Sequence, residues 1–391
     1  MHLTKEEERI YEGEEGWTKK KAMEILVAIG EINNASELIP IESAHVSGVS
    51  YKTIGDAFEF ISSLRGTVEV KSTLNPMGMD RELWREMNIT EKFANKQIDV
   101  FNAYKNLGIA PECTCIPYLL EGGAPKKGMH IAWAESSAVL FANSVLGART
   151  NMEGAPSALA AALVGKTPFC GLHKAENRVP DLRIGVTCAI EDADYSALGF
   201  LVGELAGAKI PIIELYSAIP PGRVELKHLS AAIGATGSIG MYHIRDITPE
   251  AITARVEHVD RIEIEECNLE EVYAENCEPD VIAIGCPHCA SDEIIRIYEL
   301  LKTEAKGRKV KKDFFLFTAR KIKTRMQRII EQIENYGVKV ICDTCFVVSP
   351  AFENYNCVMT NSGKMLRYVP LICGRAKVNL CRTHECVKAA F

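Results

Sequence analysis

Two pairs of cysteines have a spacing at which thiols can share a metal centre or form a reversible disulfide. They are Cys286-Pro-His-Cys289 and Cys342-Asp-Thr-Cys345, and each lies at the end of a short apolar run. Four thiolates could hold a structural zinc ion, and a dithiol at the start of a helix could exchange disulfides. Alternatively, three distant segments could each give one cysteine to an iron–sulfur cluster and leave one iron open. The spacing leaves all three possibilities open.

The segments around the two pairs predict how they meet. Apolar and amphipathic patterns predict strands over 280–285, 314–318 and 338–342, with helices over 291–306 and 319–336 between them. Such β-α-β units form parallel sheets with right-handed crossovers, so the carboxyl ends of the strands share one edge. Both cysteine pairs are therefore predicted at the edge where open α/β sheets bind ligands.

A second ligand-binding region is predicted nearer the N-terminus. After a helix over 17–32, capped by Thr18, and a strand over 38–45, the turn Gly48-Val49-Ser50 precedes a helical run over 51–64. Free N–H groups and the helix dipole make such a junction attractive to anions. A strand over 66–71 then stops at a turn over 72–78 that contains Asn75-Pro76. These two strand exits are predicted to lie close together.

The remaining chain predicts further α/β structure. A small-residue run over 132–146 predicts a helix, and strands over 183–190 and 210–216 flank a helix over 195–207. At 391 residues with 47% hydrophobic content, the chain is expected to fold as several domains. We place them at residues 1–120, 121–245 and 246–391, in the α/β class.

Composition narrows the classes of partner and compartment. The net charge is −7 and no long basic stretch is interleaved with aromatic residues, which argues against nucleic acid. The N-terminus does not have the basic and then apolar pattern of a secretory signal, and Thr4 and Glu7 instead fit a helix capping box. No uncharged apolar stretch reaches the roughly 18 residues that a membrane span needs. A cytoplasmic protein without a membrane span is expected. Its 14 cysteines are then not a disulfide framework, and lone ones such as Cys277 and Cys357 are expected to be packed thiols.

Six stretches of sequence together resemble the large subunit of the aconitase X family. They are SAHVSGVSYKTIGD (43–56), TLNPMGMD (73–80), ECTCIPY (112–118), AWAESSAVLFANSVLGARTN (132–151), GCPH (285–288) and DTC (343–345). They are long, follow the order of the family and span nearly the whole chain. The resemblance implies an aconitase-like, multi-domain α/β/α fold with parallel sheets around a central iron–sulfur cleft. The swivelling domain is expected on a separate small subunit, so the protein is expected to be a heterodimer.

The same resemblance implies a hydro-lyase that uses a 4Fe–4S cluster as a Lewis acid. The archaeal type of the two-subunit form dehydrates (R)-5-phosphomevalonate to trans-anhydromevalonate 5-phosphate in a modified mevalonate pathway. The bacterial type dehydrates cis-3-hydroxy-L-proline, and this is the alternative substrate. A zinc-stabilised scaffold without enzymatic activity is a second alternative. The catalytic base of the family is expected to be a serine on the small partner chain.

Residues that match the family motifs are the candidates for the site. The resemblance implies three cluster ligands, Cys115, Cys286 and Cys345, each with a neighbouring cysteine as the alternative: Cys113, Cys289 and Cys342. The substrate contacts that it implies are Gly48, Val49, Ser50, Asn75, Pro76, Ser362 and Lys364. Glu135 and Arg149 either line the cleft or satisfy a buried partner. His288 either hydrogen-bonds to the cluster or the substrate, or is a packed histidine that supports the cluster ligands.

Overall fold

The computed structural model describes residues 1–216, 219–251, 259–273 and 277–391. Its strands are β1 (Leu38–Pro40), β2 (Ser43–Val46), β3 (Lys71–Leu74), β4 (Ala132–Trp133), β5 (Lys166–Pro168), β6 (Leu182–Val186), β7 (Pro211–Leu215), β8 (His243–Ile244), β9 (Arg261–Ile264), β10 (Val281–Cys289), β11 (Asp313–Thr318), β12 (Lys339–Cys342), β13 (Cys357–Thr360) and β14 (Lys377–Leu380). Its α-helices are α1 (Lys5–Glu12), α2 (Trp17–Ile32), α3 (Tyr51–Ile54), α4 (Phe58–Ser63), α5 (Glu91–Asn106), α6 (Ser136–Leu140), α7 (Ala155–Val164), α8 (Asp194–Ala206), α9 (Arg223–Thr236), α10 (Glu266–Val272), α11 (Ser291–Ala305), α12 (Arg320–Arg325), α13 (Gln327–Asn335), α14 (Gly363–Ile372) and α15 (Thr383–Lys388).

Three parallel sheets share one pattern of strand order. The N-terminal sheet has the order β3-β2-β4, the middle sheet β8-β7-β6-β9 and the C-terminal sheet β12-β11-β10-β13-β14. In each sheet the first strand along the chain has its successor on one side and a later strand on the other. The carboxyl ends of β2, β6 and β10 are therefore topological switch points, where open α/β sheets form a crevice.

The predicted β-α-β-α-β run of the C-terminal sheet is confirmed. It comprises β10, α11, β11, the helix pair α12 and α13, and β12, and neighbouring strands are parallel. The single helix predicted over 319–336 was wrong in one respect, because it breaks at Met326. Strand β10 also runs on through Cys286 to Cys289, and all nine of its residues are buried. Burial on both faces is usual for a central strand of a parallel sheet.

Several N-terminal elements differ from the prediction. The strand predicted over 66–71 begins at Lys71, because the register with β2 pairs residues 71–74. The strand predicted over 38–45 divides at Ile41, since β1 pairs with β5 in a separate antiparallel sheet. The helix predicted over 51–64 consists of α3, a 3₁₀ turn and α4. Gly16 caps α2, and the Thr18 hydroxyl accepts a hydrogen bond from Arg65 N–H at 2.8 Å.

The run over 132–146 is not one helix. Its first two residues form β4, which pairs with Ala44 and His45 of β2. Glu135 then caps α6, and a π-helical turn follows over Phe141–Val145. The side chain of Asn143 in that turn donates to the Thr150 and Gly240 carbonyls, at 2.9 and 2.8 Å. A strand of two residues that forms only by pairing with β2 leaves almost no periodicity in the sequence, so the run was predicted as a helix instead.

Packing joins the middle and C-terminal sheets. One hydrophobic cluster contains residues of both, such as Ile184 and Ile284, while a second holds the N-terminal sheet. The expectation for Cys277 and Cys357 was wrong, since they form a disulfide. Within the described part of the chain, none of the helices has both the length and the apolar composition needed to cross a bilayer.

Candidate active site

A cavity of about 320 Å³ lies where the carboxyl edges of the N-terminal and C-terminal sheets face each other. The ends of β2, β3 and β4 form one side of it, and the ends of β10 and β12 and the start of α14 form the other. Its wall consists of Gly48, Val49, Ser50, Thr53, Asn75, Pro76, Cys115, Ala134, Glu135, Ser136, Cys286, Pro287, Cys345, Val347, Val348, Lys364, Tyr368 and Ile372. A larger cavity, of about 520 Å³, lies beside Arg149 and has no cysteine in its wall. The smaller cavity is therefore the candidate site.

The three predicted cysteine ligands line this one cavity, although they are far apart in the sequence. Cys286 lies within β10, and Cys345 lies three residues beyond β12. Backbone hydrogen bonds join the loop after β12 to the loop after β3: Met77 N–H donates to Asp343 at 2.7 Å, and Cys345 N–H donates to Met77 at 3.2 Å. Cys115 is attached to the same loop, because Thr114 N–H donates to the Leu74 carbonyl at 2.9 Å. The backbone thus brings the three segments together.

Buried ion pairs fix the loop that carries Cys345. Arg320 donates to Asp80 at 2.6 Å and to Asp343 at 2.7 Å, and Arg81 donates to the Asp343 carboxylate at 2.8 Å. The other Asp80 oxygen accepts the N–H of Cys342 at 2.7 Å. Both aspartates are 1% exposed. Carboxylates buried to this extent need charged partners, so the two arginines hold this corner of the site.

The thiols are in different electrostatic states. The Cys286 thiol donates a hydrogen bond that lowers the pKa of Cys345 to about 7, against the effect of burial. Lys364 and the N–H groups of Val347 and Val348 lower the pKa of Cys345 further. The same hydrogen bond and burial raise the pKa of Cys286. Burial raises the pKa of Cys115 to about 12. Because metals bind thiolates, Cys345 is the thiol that is most ready to bind one.

The neighbouring cysteine of each pair is directed elsewhere. Cys113, Cys289 and Cys342 are buried but do not line the cavity. Cys113 packs in the hydrophobic cluster of the N-terminal sheet, and Cys289 packs in the cluster between the middle and C-terminal sheets. Burial raises the pKa of all three thiols. Each close pair therefore gives one thiol to the cavity and one to the interior.

The turn after β2 contributes polar backbone to the cavity. Gly48 has φ +72°, and a Cβ there would be 2.9 Å from that of Ala155. The Tyr104 hydroxyl donates to the Gly48 carbonyl at 3.1 Å. Ser50 donates to the Val348 carbonyl at 2.7 Å and so connects the two sides of the cavity. The requirement for a positive φ and for little volume explains the glycine here.

A buried ion pair crosses the cavity. Lys364 bonds to the carboxylate of Glu135, and the Asn75 amide donates to its other oxygen at 2.8 Å. Burial alone would raise the pKa of Glu135, but Lys364, Asn75 and Ser137 lower it to about 2. Glu135 was a candidate that the sequence left undecided. Its position directly after a strand and before Ser136-Ser137, as the cap of α6, is the signal that would have selected it.

Two other candidates lie behind the wall. Ser362 is 1% exposed and caps α14, and its hydroxyl donates to the Cys286 carbonyl. His288 is also 1% exposed, and its Nε2 lies 2.8 Å from the Thr344 carbonyl oxygen. Burial lowers the pKa of His288 to about 4, so the ring is neutral and Nε2 carries its proton. Arg149 lines the larger cavity and donates to the His173 carbonyl.

The donor set fits a cluster better than a single ion. Among the residues that the structure describes, no three His, Cys, Asp or Glu side chains are grouped closely enough to hold one metal ion. A cubane that keeps one iron open needs three cysteine ligands. Cys115, Cys286 and Cys345 line one cavity and so supply that number of thiols, and Cys115 accepts an N–H···S bond of 3.1 Å from His288.

Comparison with known proteins identifies the class. Residues 1–176 match the family model of the first domain of aconitase X, residues 180–274 the second domain and residues 279–391 the third. The chain belongs to the aconitase X family.

Individual relatives narrow this further. The chain is 51% identical to the phosphomevalonate dehydratase large subunit of Methanosarcina mazei, over 97% of this chain and 94% of that one. It is 33% identical to the cis-3-hydroxy-L-proline dehydratase of Hypocrea jecorina, over 96% of this chain but 66% of that one. The crystal structure of holo aconitase X from Thermococcus kodakaraensis superposes with a TM-score of 0.91 at 43% identity and covers 100% of both chains. The predicted aconitase-like fold is confirmed.

Proposed function

We propose that this chain is the large subunit of a hydro-lyase that removes water from (R)-5-phosphomevalonate to give trans-anhydromevalonate 5-phosphate, a step of a modified mevalonate pathway. The observation that carries the proposal is the cavity itself. It combines three cysteines from distant segments with a buried ion pair and a glycine turn, in a chain similar to phosphomevalonate dehydratase large subunits over nearly its whole length.

Cys115, Cys286 and Cys345 are the proposed ligands of a 4Fe–4S cluster. When bound, such a cluster supplies a Lewis acid, at the iron without a cysteine, that can accept a carboxylate and an adjacent hydroxyl. The division of each C-x-x-C pair between cavity and interior supports three ligands over the four thiolates of a zinc site. A zinc-stabilised scaffold is therefore the weaker reading of the same cysteines.

The polar groups of the cavity wall are proposed to hold the anionic substrate. Gly48, Val49 and Ser50 offer backbone at the switch point of the N-terminal sheet, and Asn75 and Pro76 follow the neighbouring strand. Lys364 contributes a cation that Glu135 holds in place. Ser362 does not contact the substrate in this proposal. It supports the cavity wall by its hydrogen bond to the Cys286 carbonyl and by capping α14, which carries Lys364. These groups orient the substrate so that its hydroxyl faces the cysteines.

We expect the proton to be removed by a group of the small partner subunit, because the described residues of the cavity wall offer no suitable carboxylate or amine base. Glu135 is the carboxylate in the cavity wall, and a pKa of about 2 makes it a poor base at neutral pH. Lys364 is held protonated by the same pair, since Glu135 raises its pKa against the effect of burial. A small partner subunit that covers the cavity and provides the base is consistent with this wall. Leu371 and Ile372, 65% and 38% exposed at the end of α14, are the surface that we expect this partner to cover, because Ile372 also lines the cavity.

The test is an anaerobic assay of the chain with and without its small partner. We expect water loss from phosphomevalonate, followed by NMR, only when both chains are present, and no comparable turnover of cis-3-hydroxy-L-proline. Full turnover by the isolated chain would contradict the proposal. Preference for hydroxyproline would favour the alternative substrate. Colourless protein with stoichiometric zinc would favour the scaffold, since iron–thiolate clusters absorb broadly in the visible range.

A further inference from the structure

The imidazole of His288 connects the segments that carry two of the three cavity cysteines. Its Nε2–H donates to the Thr344 carbonyl at 2.8 Å, and its Nδ1 lies 3.1 Å from the Thr114 hydroxyl. Thr344 precedes Cys345 and Thr114 precedes Cys115 in the chain. His288 itself follows Cys286 by two residues, so one buried ring joins all three cysteine segments.

The backbone of His288 makes a direct contact with a cavity thiol. Its N–H donates to the Cys115 sulfur at 3.1 Å. The carbonyl of the same peptide unit, that of Pro287, lies 3.4 Å from Lys227 Nζ, and the next carbonyl, that of His288, lies 3.0 Å from it. An ammonium group at a peptide oxygen polarises the unit and makes its N–H a stronger donor. Lys227 is thus placed, at 3.4 Å from the Pro287 carbonyl oxygen, to polarise the peptide unit whose N–H donates to the Cys115 sulfur.

Lys227 is held in this position by a buried network. It lies in α9, a helix of the middle sheet, and is 0% exposed. Its ammonium group is 2.5 Å from a Glu293 carboxylate oxygen, and the other oxygen is 2.8 Å from His228 Nε2. Glu293 also accepts the N–H of Ala290 at 2.8 Å, at the start of α11. A lysine buried so completely is costly, so its contact with the backbone beside Cys286 calls for an explanation.

We propose that Lys227 and His288 are positioning residues of the iron–sulfur centre. Lys227 strengthens the N–H···S bond to Cys115 through the Pro287–His288 peptide, and the His288 ring sets the spacing of the three cysteine segments. None of the described residues of the middle sheet lines the cavity, and this sheet thereby acts on the centre through α9. The inference rests on the proposed function, because it presupposes a cluster on these cysteines.

Opposite changes of charge give the sharpest test. A cation and a strong N–H···S bond favour the reduced cluster, so Lys227→Met should shift its reduction potential to more negative values. Glu293→Gln keeps the ammonium group but removes its counter-ion, and should shift the potential to less negative values. The readout is a potentiometric titration of the anaerobic heterodimer followed by EPR. Arg178→Met is the matched control, because Arg178 is a buried cation that pairs with Glu250 and donates to the Asn143 and Ala148 carbonyls, away from the cysteines.

If Lys227 had a purely structural role, all three variants would be less stable. Lys227→Met and Glu293→Gln would then not shift the reduction potential in opposite directions. Equal potentials in Lys227→Met, Glu293→Gln and the wild-type protein, at full iron content, would overturn the role of Lys227. If Lys227→Met does not fold, the reduction potential of Glu293→Gln is compared with that of the control Arg178→Met. A less negative potential in Glu293→Gln alone would support the role of Lys227, and equal potentials would overturn it. A wild-type protein that binds no iron would instead contradict the proposed function, so the two failures can be distinguished.

The role of the His288 ring is tested by cluster content. His288→Phe keeps the backbone N–H and an aromatic ring but loses both side-chain hydrogen bonds, and should reduce iron and acid-labile sulfide per chain. His288→Gln retains a donor and should restore part of that content. Wild-type content in His288→Phe would overturn the proposal for this residue. Circular dichroism of the metal-free chains shows whether each variant is folded.

Discussion

The N-terminal and C-terminal sheets meet at their carboxyl edges and share a strand-order pattern, yet they give different chemistry to one cavity. The N-terminal edge provides the turn at Gly48, the carboxylate of Glu135 and, through the loop joined to β3, one thiol, Cys115. The C-terminal edge provides two thiols, Cys286 and Cys345, and the cation Lys364 at the start of α14. The N-terminal edge thus gives mainly polar groups, which we propose for the anionic substrate, and the C-terminal edge gives two of the three thiols that we propose for the metal centre. The comparison teaches that a switch point fixes where a ligand binds, while the residues after each strand decide which ligand it is.

The two edges also differ in how their charges are balanced. Glu135 and Lys364 neutralise each other across the cavity, so that pair is stable without a ligand. On the thiol side, Cys345 and Cys286 share a hydrogen bond, and Lys364 lowers the pKa of both thiols. Lys364 therefore acts on both the carboxylate and the thiols of the cavity.

The largest effect is expected from the thiols. Replacing Cys286 with serine should abolish the cluster and the activity, while the control Cys289→Ser should keep both, because only Cys286 lines the cavity. The same contrast is expected for Cys115 against Cys113 and for Cys345 against Cys342. Iron and sulfide analysis with visible absorption measures it. Loss of iron in Cys289→Ser and not in Cys286→Ser would reverse the assignment.

The next largest effect is expected from the ion pair. Lys364→Met leaves Glu135 as an unpaired buried carboxylate, which should lower the free energy of unfolding of the metal-free chain by about 3–5 kcal/mol. The double variant Lys364→Met/Glu135→Gln should recover much of this. Lys209→Met breaks an exposed pair with Asp260 and should cost less than about 1 kcal/mol. Denaturant unfolding gives all three values, and equal costs for Lys364 and Lys209 would contradict the argument.

Acid should weaken the buried ion pair between Glu135 and Lys364 over a defined range of pH. The pKa of Glu135 is about 2 in the folded chain, against a usual value of 4.5. A lowered pKa adds stability that is complete above the unfolded value and is lost as the pH falls through the folded one. The difference in unfolding free energy between the wild-type chain and Glu135→Gln should therefore narrow from about pH 5 to about pH 2. A difference that stays constant over this range would mean that the carboxylate is not stabilised.

The smallest effect is expected at the glycine turn. Gly48→Ala places a Cβ at a positive φ and 2.9 Å from that of Ala155. Gly307 has φ +81° with open space around it, so Gly307→Ala isolates the backbone cost of about 1–2 kcal/mol. We expect Gly48→Ala to cost more than this and to raise KM for phosphomevalonate, which Gly307→Ala should leave unchanged. Equal thermal unfolding and equal KM in both variants would argue against a tight turn at the site.

The sequence predicted elements well where each one carries its own pattern. The apolar strands and amphipathic helices between residues 280 and 342 were found because burial on both faces of a parallel sheet leaves continuous apolar runs. Elements defined by their partners were missed or shifted, such as β4, which is two residues long, and β3, whose ends follow its register with β2.

The candidate site was also predicted only in part, because some of its features leave no pattern in the sequence. The choice of Cys286 over Cys289 came from the family resemblance, because β10 is irregular between Ile284 and Cys289 and spacing alone does not show which thiol faces the cavity. The network around Lys227 was not predicted. A buried lysine in an amphipathic helix looks like a surface residue in the sequence, and only the tertiary contacts with Glu293 and the backbone beside Cys286 reveal it.

The wide separation of the cavity cysteines along the chain affects the order in which the protein matures. The ribosome makes Cys115 long before Cys345, and α9, with Lys227, is translated between them. A nascent chain that has folded only its first sheet presents a single thiol of the three. The proposed cluster therefore requires that iron and sulfide be inserted after the last segment is translated, so we expect its delivery to be a late event.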